Sequence, residues 1–92
     1  MSRAFVNEDA AGEVPRFPLP PPDDSAYDLA AARALLRGAD EGDSASAEAA
    51  TGYVFGEPKL RPHVERILAE ARADGNERLE QLAERFLRRA TR

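Results

Sequence analysis

Apolar positions recur at helical spacing in three stretches of the chain. Leu29, Ala32, Leu36 and Ala39 stand at i, i+3, i+7 and i+10, and Leu35 widens the stripe. Leu60, Val64, Ile67, Leu68 and Ala71 follow i, i+4, i+7, i+8 and i+11. Leu79, Leu82, Ala83, Phe86, Leu87 and Ala90 follow i, i+3, i+4, i+7, i+8 and i+11. Each set lies along one face of a 3.6-residue period and predicts an amphipathic helix.

Local signals set the expected boundaries. Asp24 and Ser25 are good N-caps, so the first helix is expected over 25–40, with Gly38 and Gly42 as its stops. Asp43 or Ser44 then caps a short second helix through Ala45, Ala47, Ala49 and Ala50, ended by Thr51-Gly52. Tyr53-Val54-Phe55 is too short for an independent strand and reads as an apolar plug on a loop. The third helix is expected to open at Pro58, with Pro62 still tolerable in its first turn. Asp74-Gly75-Asn76 serves as a stop and a new cap, and the fourth helix runs over 77–90. So short a link makes the last two helices an antiparallel αα-hairpin.

The first 24 residues break from this pattern. They hold Pro15, Pro18, Pro20, Pro21 and Pro22, five of the seven prolines. Proline removes a donor and biases its predecessor to extended geometry, so 1–24 is expected to be flexible or draped, with polyproline II at 18–22. Arg16 and the P-x-x-P spacing fit an SH3-like groove; the alternatives are a stiff spacer or a strap that packs Phe17 and Leu19 on the helices. The expected fold is therefore all-α: a small bundle of three to four helices over 25–92, with Phe5 or Phe17 available to fill gaps.

Composition narrows the function classes. The 92 residues allow one domain, and of the 42% that are apolar nearly half are alanine, so the core is thin. A formal net charge of -4 does not suit a coat for nucleic acid or an anionic membrane. No run approaches the roughly 18 apolar residues of a membrane span. The run Ala4-Phe5-Val6 stops at Asn7-Glu8-Asp9, so an export signal is not expected. With no cysteine there is no disulfide, thiolate or cysteine-zinc chemistry, which fits a reducing cytoplasm.

Candidate chemistry is sparse. His63 is the single histidine; it reads as a general base or metal ligand in one view and as an ordinary surface or half-buried helix residue in the other. No serine lies in a nucleophile elbow, and Ser25 and Ser44 read as caps. No glycine pattern matches a nucleotide loop. Between Gly38 and Glu57 lie five acids, Asp40, Glu41, Asp43, Glu48 and Glu57, and no base. Such a field could meet a basic partner or Mg²⁺, or be a solvated connection. Arg85, Arg88, Arg89 and Arg92 gather at the other extreme and fit either phosphates, an acidic protein groove, or the negative end of the helix dipole. Phe86 is the one aromatic among them and belongs to the core stripe, so single-stranded nucleic acid is not expected.

The opening Met1-Ser2-Arg3-Ala4-Phe5-Val6-Asn7-Glu8-Asp9, followed by a proline-rich stretch, resembles the N-terminus of bacterial Gre-type transcription elongation factors. Ala39-Asp40-Glu41-Gly42-Asp43 followed by Glu48-Ala49-Ala50 is similar to the tip of their coiled coil. The resemblance implies RNA polymerase as a partner, with tip acids that help hold a catalytic Mg²⁺ in its secondary channel. Only Asp43 carries over directly: Ser46 stands where the family has its second acid, and Glu48 fits only with a gap. Gly52, Gly56, Pro58 and Pro62 interrupt the second arm, so transcript cleavage is not expected.

The resulting expectation is a small non-enzymatic regulatory or adaptor protein without a cofactor. It would associate with the transcription machinery through the acidic 38–57 face, with Asp40, Glu41, Asp43, Glu48, Arg85, Arg88 and Arg89 as the partner-binding set. The alternative is a self-associating module, a homodimer paired through Leu79, Phe86 and Leu87 of the last helix. A third reading, an acid-dependent metal enzyme, has the least support.

Overall fold

Every apolar stripe folds as a helix. The computed structural model describes residues 16–91, in which α1 (Tyr27–Asp40), α2 (Ser44–Thr51), α3 (Arg61–Asp74) and α4 (Glu77–Ala90) follow one another, with a 3-10 turn at Pro58–Leu60 before α3. The expectations placed on 1–15, including Phe5, and on Arg92 lie outside the described residues.

The α3–α4 hairpin is set by two residues. Gly75 takes φ 70, and the Gly75 and Asn76 amides donate back to the Arg72 and Ala71 carbonyls at 3.3 and 2.8 Å. This is a Schellman closure. The Asn76 side chain then accepts from the Leu79 amide at 3.1 Å and opens α4. One residue thus ends one helix and caps the next. α1 packs across both arms of the hairpin, and α2 folds back on α1.

The core lies between these elements. Leu35, Leu36, Leu60, Val64, Ile67, Leu82 and Phe86 are its largest fully buried side chains. Alanine supplies much of the rest: Ala32, Ala34, Ala47, Ala83 and Ala90 belong to the same cluster. Small side chains let helices approach closely but bury little area each, so the aromatic residues carry a large share of the packing. Phe55 meets Phe86 edge-on with ring centroids 4.9 Å apart. Phe17 enters from the proline-rich block, 7% exposed, and Leu19 packs beside it. Residues 16–24 are therefore a strap.

Several local expectations change. α1 runs through Gly38, which is buried within it. A Cβ there would stand 2.7 Å from the Ala47 Cβ and 3.0 Å from the Asp43 carbonyl oxygen. Gly38 is where α2 crosses α1, and the stop is Gly42, at φ 74, with the Asp43 amide donating to the Gly38 carbonyl at 2.7 Å. Ser25 is not a cap; Asp24 accepts from the Ala26 amide at 2.8 Å, which turns the chain into α1. Asp43 is the cap of α2, accepting from the Ser46 amide at 3.2 Å, and Ser44 is the first helical residue. The first turn after Pro58 is 3-10, so α3 starts at Arg61. The plug at 53–55 is split: Phe55 goes in and Val54 stays 56% exposed. Of the three residues expected to pair helix four with a second copy, Phe86 is fully buried within the chain, whereas Leu79 and Leu87 are half-buried.

Candidate contact surfaces

Between Gly38 and Glu57 the sequence holds no base, and the fold supplies bases from elsewhere. The corner between α1 and α2 carries Glu41 and Asp43. Arg16, held by its neighbour Phe17 in the core, reaches both. Its Nη2 lies 2.7 Å from Glu41 Oε1 and its Nη1 2.6 Å from Asp43 Oδ2. Arg37 donates from Nε to Glu41 Oε2 at 3.0 Å. The Arg16 guanidinium also stacks 5.0 Å from the Phe17 ring centroid.

This clamp shows in the acid–base chemistry. Hydrogen bonds from Arg16, then Arg37, hold the Glu41 carboxyl below its ordinary range. Arg16, then Ser46, does the same for Asp43. Depressed folded values mean that the stabilisation is present above the unfolded carboxylate range, near pH 4, and is lost as pH falls through the folded values. Melting temperature followed from pH 7 down to 2 is expected to separate wild type from Arg16→Gln at neutral pH and bring them together in acid. A constant gap across that range would exclude the clamp as the source.

The remaining acids are engaged too. Asp40 Oδ1 accepts from Arg78 Nε at 2.6 Å, which ties α1 to the start of α4. Glu48 Oε2 accepts from the Phe55 amide at 2.9 Å and holds the 53–57 loop. Each of these four acids therefore has a partner from its own chain, and for three of them, Asp40, Glu41 and Asp43, a partner (Arg78 or Arg16) is far off in sequence. Among the described residues no group of three or more histidine, aspartate or glutamate side chains is placed to hold a metal ion. His63 is half-buried on α3.

The arginines of α4 are arranged differently. Arg85, Arg88 and Arg89 are exposed on its last two turns and, with Thr91, line an open hollow of about 450 Å³. Among the described residues every other arginine has a carboxylate within 4.0 Å: Arg16, Arg33, Arg37, Arg61, Arg66, Arg72 and Arg78. Arg85, Arg88 and Arg89 have none there. Arg89 instead lies 5.9 Å from the Phe55 ring centroid, and Gly56 packs against its Cβ. Arg85 and Arg89 also border a smaller depression with Ser44, Glu48 and Phe55.

The fold thus gives the seven sequence-derived contact residues two roles and brings three of them together. Asp40, Glu41, Asp43 and Glu48 brace the fold, while Arg85, Arg88 and Arg89 form one surface, and Glu48 lines the same small depression as Arg85 and Arg89. Sequence reading missed Arg16 and Arg78 as the counter-charges of the acids. Nothing local could have revealed them, because they stand 25 to 38 positions from their partners. No family model, no curated protein and no solved structure matches this chain.

Proposed function

We propose that this chain is a non-enzymatic adaptor or regulatory protein that docks an acidic surface of another protein on Arg85, Arg88 and Arg89. One observation carries the reading: these three neighbours are the arginines that the described fold leaves without a carboxylate. A cation paired within its own chain has already given up part of its Coulomb energy, whereas an unpaired one keeps it for a partner. The chain's net charge of -4 favours a local acidic patch over a polyanion, since long-range repulsion opposes approach to nucleic acid.

The Gre-type resemblance names RNA polymerase as the partner to test first. An affinity pull-down with the full chain, probed for polymerase and for other retained proteins, is the experiment. Wild type is expected to retain a defined protein at low salt, and Arg85→Glu with Arg88→Glu is expected to lose it, by about tenfold or more. If both retain the same set equally, the arginine surface is not the contact. Loss caused instead by Asp43→Ala with Glu48→Ala would move the contact to the acidic corner and overturn this reading.

A further inference from the structure

Arg16, the first described residue, is fastened close to the arginine surface. Its guanidinium lies 2.7 Å from Glu41 and 2.6 Å from Asp43, while Phe17 is anchored in the core. Asp43 caps α2, and the next residue, Ser44, borders the depression that Arg85 and Arg89 also line. The preceding stretch of chain is therefore tethered at the α1–α2 corner, one residue along from the edge of that surface.

Charge tells where such a tethered stretch would go. Residues 4–15 hold Glu8, Asp9 and Glu13 and no lysine or arginine. Among the described residues, Arg85, Arg88 and Arg89 have no carboxylate within 4.0 Å, whereas seven other arginines each have one. The acids beside the three are engaged elsewhere. Glu80 and Glu84 lie 3.3 and 3.0 Å from Arg72, and Glu48 accepts from the Phe55 amide. At the tether itself Arg16 and Arg37 offset Glu41 and Asp43, so the corner does not turn an acidic segment away. Reach is sufficient. The seven steps from Asp9 to Arg16 span up to about 23 Å when extended, as far as the whole of α4 is long, about 21 Å. A tether of this length holds its acids at an effective concentration on the order of millimolar.

We infer that the acidic stretch 8–13 of the same chain docks on Arg85, Arg88 and Arg89 and competes there with an acidic partner. The inference rests on the docking role proposed above for those arginines, and it gives that surface a built-in cover. Exposed ion pairs are individually weak and screened by salt, so the cover yields to a partner that makes more contacts. The partner's apparent affinity falls by the fraction of molecules left uncovered.

Paramagnetic relaxation in the full chain tests it. The sequence has no cysteine, so Ala11→Cys gives a single attachment point for a nitroxide. The amide signals of Arg85, Arg88 and Arg89 are expected to lose intensity at low salt. Glu8→Gln with Asp9→Asn should restore them, and so should Arg85→Gln with Arg88→Gln, which lie on the exposed face of α4. Signals that are unaffected by the label, or a loss that persists in both neutralised variants, would overturn the inference. So would a loss that appears when labelled chain is mixed with unlabelled chain, because the cover would then come from a second copy. An oligoglutamate peptide is the competing probe. It is expected to bind the chain carrying Glu8→Gln and Asp9→Asn about three- to tenfold more tightly than wild type. Equal, measurable affinities would overturn the inference. Charge-dependent signal loss with no protein retained in the pull-down would support this contact and count against the docking reading, so the two fail separately.

Discussion

Phe86→Ala is expected to cost about 3–5 kcal/mol, the largest loss available from one side chain in this fold. Phe86 is fully buried on α4 and meets Phe55 edge-on at 4.9 Å. The substitution removes the ring's transfer energy, leaves a cavity, and strips Phe55 of its aromatic partner, a contact of about 0.5–1.5 kcal/mol in its own right. Much of the surrounding core is alanine, which has no side chain to swing into the space. Against a total of about 5–15 kcal/mol for a domain, such a loss leaves little or no reserve. Urea unfolding followed by circular dichroism should show a collapsed midpoint, with Phe86→Leu intermediate. A loss below about 1 kcal/mol for the alanine variant would show that the core is not organised around this ring.

The second large effect falls on a glycine. Gly56 sits at φ 97, a region L side chains rarely adopt, and a Cβ there would come within 2.6 Å of the Arg89 Cβ. The clash involves a Cβ fixed to helical backbone, so no flexible side-chain tip can yield. Gly56→Ala therefore combines backbone strain of about 1–3 kcal/mol with overpacking of about 1–3 kcal/mol. The loop must lift from α4, drawing Phe55 off Phe86. Gly52 is the internal comparison: its φ is 78, yet nothing lies within 4 Å of its Cβ position. Gly52→Ala should carry the strain alone, at the low end of the same range. Thermal melts of the two variants should differ by several degrees, with Gly56→Ala the lower. Equal melting temperatures would mean that the loop does not press on α4.

The two glycines show where local reading reaches its end. Both follow an apolar or helical run, and both look like ordinary chain breaks. Only the neighbouring helix distinguishes them. Gly38 makes the same point in reverse: it resembles a helix stop and is instead a contact point, because Ala47 of α2 needs the space its missing Cβ leaves.

Charge was harder still to read. The run Asp40-Glu41-Gly42-Asp43 looks like an unopposed acidic patch along the chain. In the fold, Arg16 and Arg78 close on it from opposite ends of the molecule's sequence. Coulomb partners are chosen by distance in space, and a linear window of charge counts only those nearby in order. The same window overlooks the reason Arg85, Arg88 and Arg89 differ from seven other arginines, since that difference is the lack of a carboxylate within 4.0 Å among the described residues.

Helix existence, the α3–α4 turn and the fold class were legible from residue order alone. Their causes are short in range: a 3.6-residue apolar period, an asparagine that caps, and a glycine at positive φ all act within a turn or two of the chain. The choice of a strap over a stiff spacer for Phe17, the exposure of Val54, the tie between Gly56 and Arg89, and the sorting of charges into paired and unpaired came only with tertiary packing. Each depends on which distant surfaces meet, and no local pattern of residues states that.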